Sequence, residues 1–314
     1  MRKRGTLFPM ISRYTAHGLT WIDLESPTAE ETMHVVEEFS LPRLVGQEMA
    51  DHTLRSKVDL YPDFLYLILH FPTIGRDGSA AKDQEIDFVI GKNFLITVRY
   101  ELVERVNDFA KLFETESMRS DTTIARHGGF IFMQMMKDFY RKSLHELETL
   151  TQTIKNIEQQ IFESHEASTV RQISATSRKL LDFKQSIRYH NEVLRSYESA
   201  SKRLFGEEYG YYAEVITSEY RKVDSLLENH RDVLAELQRT NDSLLTSKSN
   251  EIMKNFTIMT FVMLPLTLIT GVFGMNTLPD LIFIRNMQDF FFIIGAMLVT
   301  GIIMFLFFKI RRWL

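Results

Sequence analysis

The chain reads as an α/β domain followed by long helices and a C-terminal two-helix transmembrane hairpin. Three observations predict this. Up to about residue 120, short stretches of strand and helix character alternate. From about Thr122 to Asn255 there is almost no Pro or Gly, and apolar residues recur at helical spacing. Roughly the last 60 residues then hold nearly all of the uninterrupted apolar sequence, in two runs without a charge.

Residues 1–121 form the first region. Leu19-Thr20-Trp21-Ile22-Asp23-Leu24 reads as a strand, and Ser26-Pro27-Thr28 followed by Glu30-Glu31 reads as a capped helix start. Phe64 to Phe71 is a continuous aromatic and aliphatic run. So are Ile86 to Ile90 and Asn93 to Val98, separated by Gly91-Lys92, a hairpin signal. Gly75 to Lys82 is a polar loop.

Residues 122–255 are expected to form three long helices, interrupted near Ser164–Ser168 and Gly206–Gly210. The last begins near Tyr211 and meets no breaker before Pro265. Its stalk, about 211–255, measures roughly 60 Å or more at about 1.5 Å per residue. Val223, Leu226, Val233, Leu237 and Leu244, with Thr240 at one intermediate place, keep a coiled-coil-like step of three or four. Two partners are open for that seam: the preceding helices of the same chain, or a second copy.

The two apolar runs are Phe256 to Phe273, 18 residues, and Phe290 to Phe308, 19 residues. Each is about long enough to cross a hydrocarbon core of roughly 30 Å. A pair of buried core helices is the alternative, but a short loop between the runs and a basic tail at 309–314 favour a membrane hairpin. Lys248 and Lys254 precede the first run, and Lys309, Arg311 and Arg312 follow the second. The loop 274–289 holds one base, Arg285, against Asp280 and Asp289. By the excess of positive charge, both termini are expected in the cytoplasm and the loop outside. The basic start Met1-Arg2-Lys3-Arg4-Gly5 is followed by no apolar run of leader length, so the first 250 or so residues are expected to stay cytoplasmic.

Composition narrows the function. In 314 residues with 45% hydrophobic side chains there is no cysteine, which excludes a disulfide framework, a thiolate zinc site and a Cys nucleophile. Acidic residues number 41 against 37 basic, which makes no case for a nucleic-acid partner. No P-loop, GxSxG elbow or HExxH occurs, so nothing indicates an enzyme, and His127 before Gly128-Gly129 reads as a helix-start turn. A single pair of spans cannot enclose an aqueous path, so transport requires an oligomer. Asn250, Met253, Thr257, Thr260, Leu264, Thr267 and Gly271 form the stripe of small, polar and flexible residues that a pore-lining helix needs. Ordinary packing between membrane helices would use the same residue types.

Gly274-Met275-Asn276 follows directly on Gly271-Val272-Phe273, at the outer end of the first span. In that place it resembles the signature of the CorA family of divalent-cation channels. Asn250-Glu251-Ile252-Met253-Lys254 before the span, Pro265-Leu266-Thr267 within it and the closing Lys309-Ile310-Arg311-Arg312-Trp313-Leu314 agree. So do Trp21-Ile22-Asp23-Leu24, Lys57-Val58-Asp59 and Ile86-Asp87-Phe88-Val89-Ile90 upstream. The resemblance covers essentially the whole chain. It implies a funnel-shaped homopentamer in the cell (inner) membrane, with a pore-lining first span continuous with the stalk. It also implies passive influx of Mg²⁺, with Co²⁺ or Ni²⁺ as further cargo.

The same resemblance assigns Gly274, Met275 and Asn276 to ion selectivity, and Asn250, Met253, Thr267 and Gly271 to pore positions. Mg²⁺ dehydrates reluctantly, so a ring of Asn276 carbonyls would hold the ion with its water. Gly274 permits a tight reversal and Met275 is expected to pack the loop; capping of the helix end is the plainer use of Gly274 and Asn276. Met253 and Leu264 would form apolar constrictions. The family's cytoplasmic Mg²⁺ sensor maps to Glu214, with Asp77 in the Gly-Arg-Asp-Gly loop as partner; a solvated Glu214 is the alternative. Several positions depart from the family pattern. Thr277 stands where an aromatic is common, Leu278-Pro279-Asp280 comes early in the external acidic loop, and Arg239 and Ser243 occupy places where an acidic ring is sometimes found. A ZntB-like zinc transporter and a non-conducting membrane scaffold remain as other readings. Zinc prefers imidazole or thiolate, yet all nine histidines lie at or before His230.

Overall fold

Strands buried on both faces read as unbroken apolar runs rather than alternations, and the runs noted above are such strands. The computed structural model describes residues 10–16, 18–53, 55–73, 82–117, 127–163, 166–274 and 287–311. Two compact units result, Met1–Gln238 and Arg239–Leu314. In the first, β1 (Met10–Ala16), β2 (Leu19–Glu25), β3 (Lys57–Leu60), β4 (Phe64–Thr73), β5 (Lys82–Gly91) and β6 (Phe94–Arg99) make one sheet in the order β1-β2-β6-β5-β4-β3. Every neighbouring pair is antiparallel except β2 and β6, where Ile22 lies beside Ile96 in parallel register. The Gly91-Lys92 signal falls at the tight connection of β5 and β6. Most of the polar Gly75–Lys82 loop lies outside the described residues.

One face of the sheet is covered by α1 (Ala29–Glu38) and α2 (Arg43–Glu48). Ile22, Leu24, Ile68, Val89 and Val98 are buried there with Val35, Val36, Val45 and Met49. Thr28 caps α1 as expected: its hydroxyl accepts from the Glu31 amide, and the Glu31 carboxylate accepts from the Thr28 amide at 2.8 Å. On the other face, α3 (Glu104–Ser117) and α4 (Gly128–Phe162) bring Phe109 against Trp21, Phe132 against Phe88 and Phe139 against Phe71, all at edge-to-face centroid distances of 5.1–5.5 Å. The parallel pair is fastened by a polar chain. Trp21 Nε1 donates to Thr97 Oγ1 at 3.1 Å, Thr97 donates to Asp23 at 2.6 Å, and Arg99 bridges Asp23 and Glu25 at 2.9 and 2.7 Å. At the start of α4, a Cβ on Gly128 would lie 2.1 Å from the Phe94 carbonyl oxygen, so only glycine fits. His127 is the residue before that helix, and its ring stacks on Phe205 at 4.7 Å. Its role there is structural.

The helical region departs from expectation in one respect. The predicted second helix is two, α5 (Glu166–Ser186) and α6 (His190–Phe205), joined by a turn that contains neither Gly nor Pro. Burial of His190 accounts for the break. Its Nε2–H donates to the His70 carbonyl at 2.8 Å, and its Nδ1 therefore accepts from the Tyr140 hydroxyl, also at 2.8 Å. Complete burial pushes its pKa down to about 3, so the ring is neutral. A 3-10 turn, Glu207–Tyr209, then leads into α7 (Gly210–Phe273), a single helix of 64 residues that includes Pro265.

Within the first unit, the buried seam of α7 is Ala213, Ile216, Tyr220, Val223, Leu227, His230, Leu234 and Leu237. This corrects two of the expected positions. Leu226 is half-buried and Val233 is exposed, because each sits beside a second apolar residue, Leu227 or Leu234, that holds the inward place. The seam packs within the chain. Tyr220 meets Tyr140 at 5.8 Å, His230 bonds Thr151 at 2.9 Å, and Glu228 pairs with Lys184, which holds its carboxyl below the usual range.

Below the α1–α2 face lies a buried ionisable cluster that the sequence reading passed over. Glu85 accepts from the Thr53 amide and hydroxyl and from His52 at 3.1 Å. Asp87, two residues on along the same face of β5, accepts from Tyr66 at 2.7 Å and Tyr100 at 3.2 Å, while Oδ1 has no hydrogen-bond partner. Burial, reinforced by the neighbouring Glu85, pushes the Asp87 carboxyl well above its ordinary 3.8. A raised carboxyl stabilises the fold fully only below its unfolded pKa, and that stability is lost as pH climbs toward the folded value.

Two outcomes follow. Leu227→Ala should cost about 2–4 kcal/mol and Val233→Ala well under half of that; equal losses in thermal melts of the detergent-solubilised protein would refute the corrected seam. Asp87→Asn keeps an acceptor for both tyrosines, so its melting temperature relative to wild type should rise steadily from pH 4 to pH 8. A difference independent of pH would mean that Asp87 is not held as an acid.

Candidate functional site

The second unit contains the end of α7, from Arg239, and α8 (Met287–Ile310). Both helices are long and apolar enough to cross a membrane. Only 6% and 0% of their most apolar stretches are buried inside the chain, which removes the reading as core helices of a soluble fold. Ile258 of α7 and Phe308 of α8 are buried, at 8% and 5% exposure, and Phe261 meets Phe308 at 6.4 Å. Val262, Pro265, Leu266 and Ile269 continue that half-buried stripe along α7.

The expected pore positions stand on a different stripe of the same helix. Asn250, Met253, Thr260, Leu264, Thr267 and Gly271 are exposed and Thr257 is half-buried, at steps of three and four residues. Thr260, Leu264, Thr267 and Gly271, with Met263 and Leu268 beside them, line a shallow groove of about 820 Å³. Its hydroxyls have a fixed polarity. Thr257, Thr260 and Thr267 each donate to the carbonyl four residues earlier, at 2.8, 2.9 and 2.9 Å. Each oxygen is thereby left with acceptor capacity directed away from the helix backbone.

At the C-terminal end of α7, the Gly274 amide donates to the Thr270 carbonyl at 2.9 Å, and a Cβ there would come within 2.8 Å of the same oxygen. The chain leaves the helix at a place a side chain would obstruct. Met275, Asn276 and the acidic-loop Asp280 lie outside the described residues, as does Asp77. Glu214 is described. It is exposed on α7, close enough to Lys202 to contribute to that amine's raised pKa, after the larger effects of Glu198 and Glu207. Among the described residues no group of three or more His, Asp or Glu side chains is arranged to hold a metal ion. The His52, His70, Glu85 and Asp87 cluster is instead closed by hydrogen bonds to Thr53, Ser56, Tyr66 and Tyr100. Glu85 and Asp87 alternating along one strand was the signal that could have found it.

Comparison with known proteins agrees with this arrangement. The family model for the CorA-like Mg2+ transporter protein matches residues 16–312. The cobalt/magnesium transport protein CorA of Thermotoga maritima is 24% identical over 303 residues, covering 94% of this chain and 83% of the relative. Among solved structures, the CorA magnesium transporter from Methanocaldococcus jannaschii superimposes with a TM-score of 0.78 at 22% identity, over 95% of this chain and 92% of that one. The ZntB cytoplasmic domain from Vibrio parahaemolyticus shares the fold at a TM-score of 0.60 and 14% identity, over 74% and 89%. The chain belongs to the CorA-like Mg²⁺ transporter family, whose members carry divalent cations across membranes and are not enzymes.

Proposed function

We propose that this protein is a homopentameric channel of the cell membrane, with both termini cytoplasmic, for passive influx of hydrated Mg²⁺, with Co²⁺ or Ni²⁺ as further cargo. The observation that carries the reading is the exposed threonine stripe on α7. A fully hydrated divalent cation presents water hydrogens outward, so a wall that conducts it must offer acceptors. Hydroxyls whose protons are already committed to the backbone are such acceptors. Repeated around an axis, Thr260 and Thr267 alternate with Leu264 along the groove, giving polar rings separated by an apolar one that can close by dewetting. Met253 makes a second apolar ring and Asn250 a polar one at the inner mouth.

Gly274, Met275 and Asn276 form the selectivity ring at the outer mouth in this proposal, and Asp280 supplies negative charge in front of it. The obstructed Cβ of Gly274 supports a chain reversal that brings Asn276 back over the axis. No carboxylate, His or Lys lies between Phe256 and Phe273, which supports conduction down the membrane potential rather than proton coupling. The ZntB-like fold admits a zinc reading, but the stripe offers only oxygen and thioether atoms and no imidazole. Cytoplasmic Mg²⁺ bound at Glu214, with Asp77 of a neighbouring copy as partner, favours the closed state.

Two measurements test this. In liposomes loaded with a Mg²⁺ dye, Asn276→Ala should lower selective Mg²⁺ flux about tenfold or more, the scale of one lost polar contact per ion, while the assembly stays intact. Unchanged flux and selectivity would remove the filter assignment. Glu214→Lys should raise the internal Mg²⁺ concentration needed to shut the channel; inhibition indistinguishable from wild type would remove the sensor.

A further inference from the structure

Along one flank, the two apolar helices leave a second groove, of about 490 Å³, separate from the threonine stripe. Leu266 of α7 lines it together with Ile294, Leu298, Gly301, Phe305 and Leu306 of α8, and no lining side chain is charged or hydrogen-bonding. A Cβ built on Gly301 meets nothing within 4 Å, so the space over that residue is open. From Ile294 to Leu306 the helix advances about 18 Å at about 1.5 Å per residue, a little over half of a hydrocarbon core of roughly 30 Å. The groove therefore has the length and chemistry of one leaflet's acyl chains. At its end stands a charge. Lys309 is exposed and follows Phe305 and Leu306 by four and three residues, on the same face of α8, and exposed Arg311 lies just beyond.

We infer that this groove holds an acyl chain of an anionic phospholipid, with the lipid phosphate at Lys309. An apolar slot ending in an exposed ammonium is complementary to a tail that ends in an anion. A second copy of the chain is the other candidate occupant, and the cross-linking arm of the test below separates it from a lipid. The inference rests on α8 crossing the membrane and not on the ion path.

The test uses the full-length protein in detergent, mixed with dioleoylphosphatidylglycerol or dioleoylphosphatidylcholine and read by native mass spectrometry. Wild type should retain phosphatidylglycerol in preference, and Lys309→Gln should cut that preference about fivefold. Gly301→Leu, which fills open space, should reduce retention of both lipids. Equal retention of the two lipids by wild type, or wild-type retention by Gly301→Leu, would overturn the inference. Because the chain has no cysteine, Gly301→Cys is a unique probe in phosphatidylglycerol vesicles. It should resist oxidative cross-linking between copies, and efficient cross-linking would put a second copy in the groove instead. None of these readouts measures flux, so their failure is distinguishable from failure of the channel.

Discussion

A heptad register on α7 is the constraint from which the other features follow. In the first unit its inward positions run Ala213, Ile216, Tyr220, Val223, Leu227, His230, Leu234 and Leu237, at alternating steps of three and four. In the second unit, Ile258, Val262, Pro265 and Ile269 keep a like alternation of three and four on the stripe buried or half-buried beside α8. The positions between, Asn250, Met253, Thr257, Thr260, Leu264, Thr267 and Gly271, keep their own alternation of three and four. Within the second unit, one stripe of the helix is thus used by the chain itself and another is left for something else.

Each stripe has residue types suited to its solvent. Where α7 packs in the first unit, the polar member His230 bonds Thr151 through Nε2. On the exposed stripe the threonines return their hydroxyl protons to the helix, which leaves their oxygens as acceptors. Pro265 removes one backbone donor, leaving the Phe261 carbonyl without its helical partner. A membrane helix tolerates this only where polar neighbours or ordered water can take over. Pro265 stands on the half-buried stripe beside α8 rather than on the exposed threonine stripe.

Much of the architecture was legible because it rests on composition and period. The strands from Phe64, Ile86 and Asn93 were readable as apolar runs, and the α1 cap as Thr28 with Glu31. The apolar helices were readable because bilayer thickness sets a length that few soluble elements reach. What escaped were choices made by tertiary contact. Nothing in Asp182 to Arg195 signals a helix break; the break exists because His190 must reach the His70 carbonyl and the Tyr140 hydroxyl. In Leu226-Leu227 and Val233-Leu234 either residue satisfies the spacing, and only the position of α4 selects the second. The buried Asp87 was quoted as part of an apolar strand, since nothing local says that two tyrosines will cover it.

Gly271 near the end of α7 and Gly274 just past it separate two kinds of reason for small size. At Gly274 the obstacle is internal: a Cβ would press on the Thr270 carbonyl, so the chain's own turn explains the residue. At Gly271, one turn earlier, a Cβ would meet nothing within 4 Å. An interior glycine costs a helix about 1 kcal/mol relative to alanine, and the fold of a single chain returns nothing for that cost. In the proposed channel the offsetting benefit is close approach of a second copy, or of an ion with its water, to the backbone. Gly271 lies in register with Leu264 and Thr257, one and two heptads before it, so whatever approaches it also approaches the threonine stripe. In that proposal Gly271 is the position on this stripe where a neighbour or a hydrated ion can come nearest to the α7 backbone, and Gly274 is the position where the chain itself needs the room.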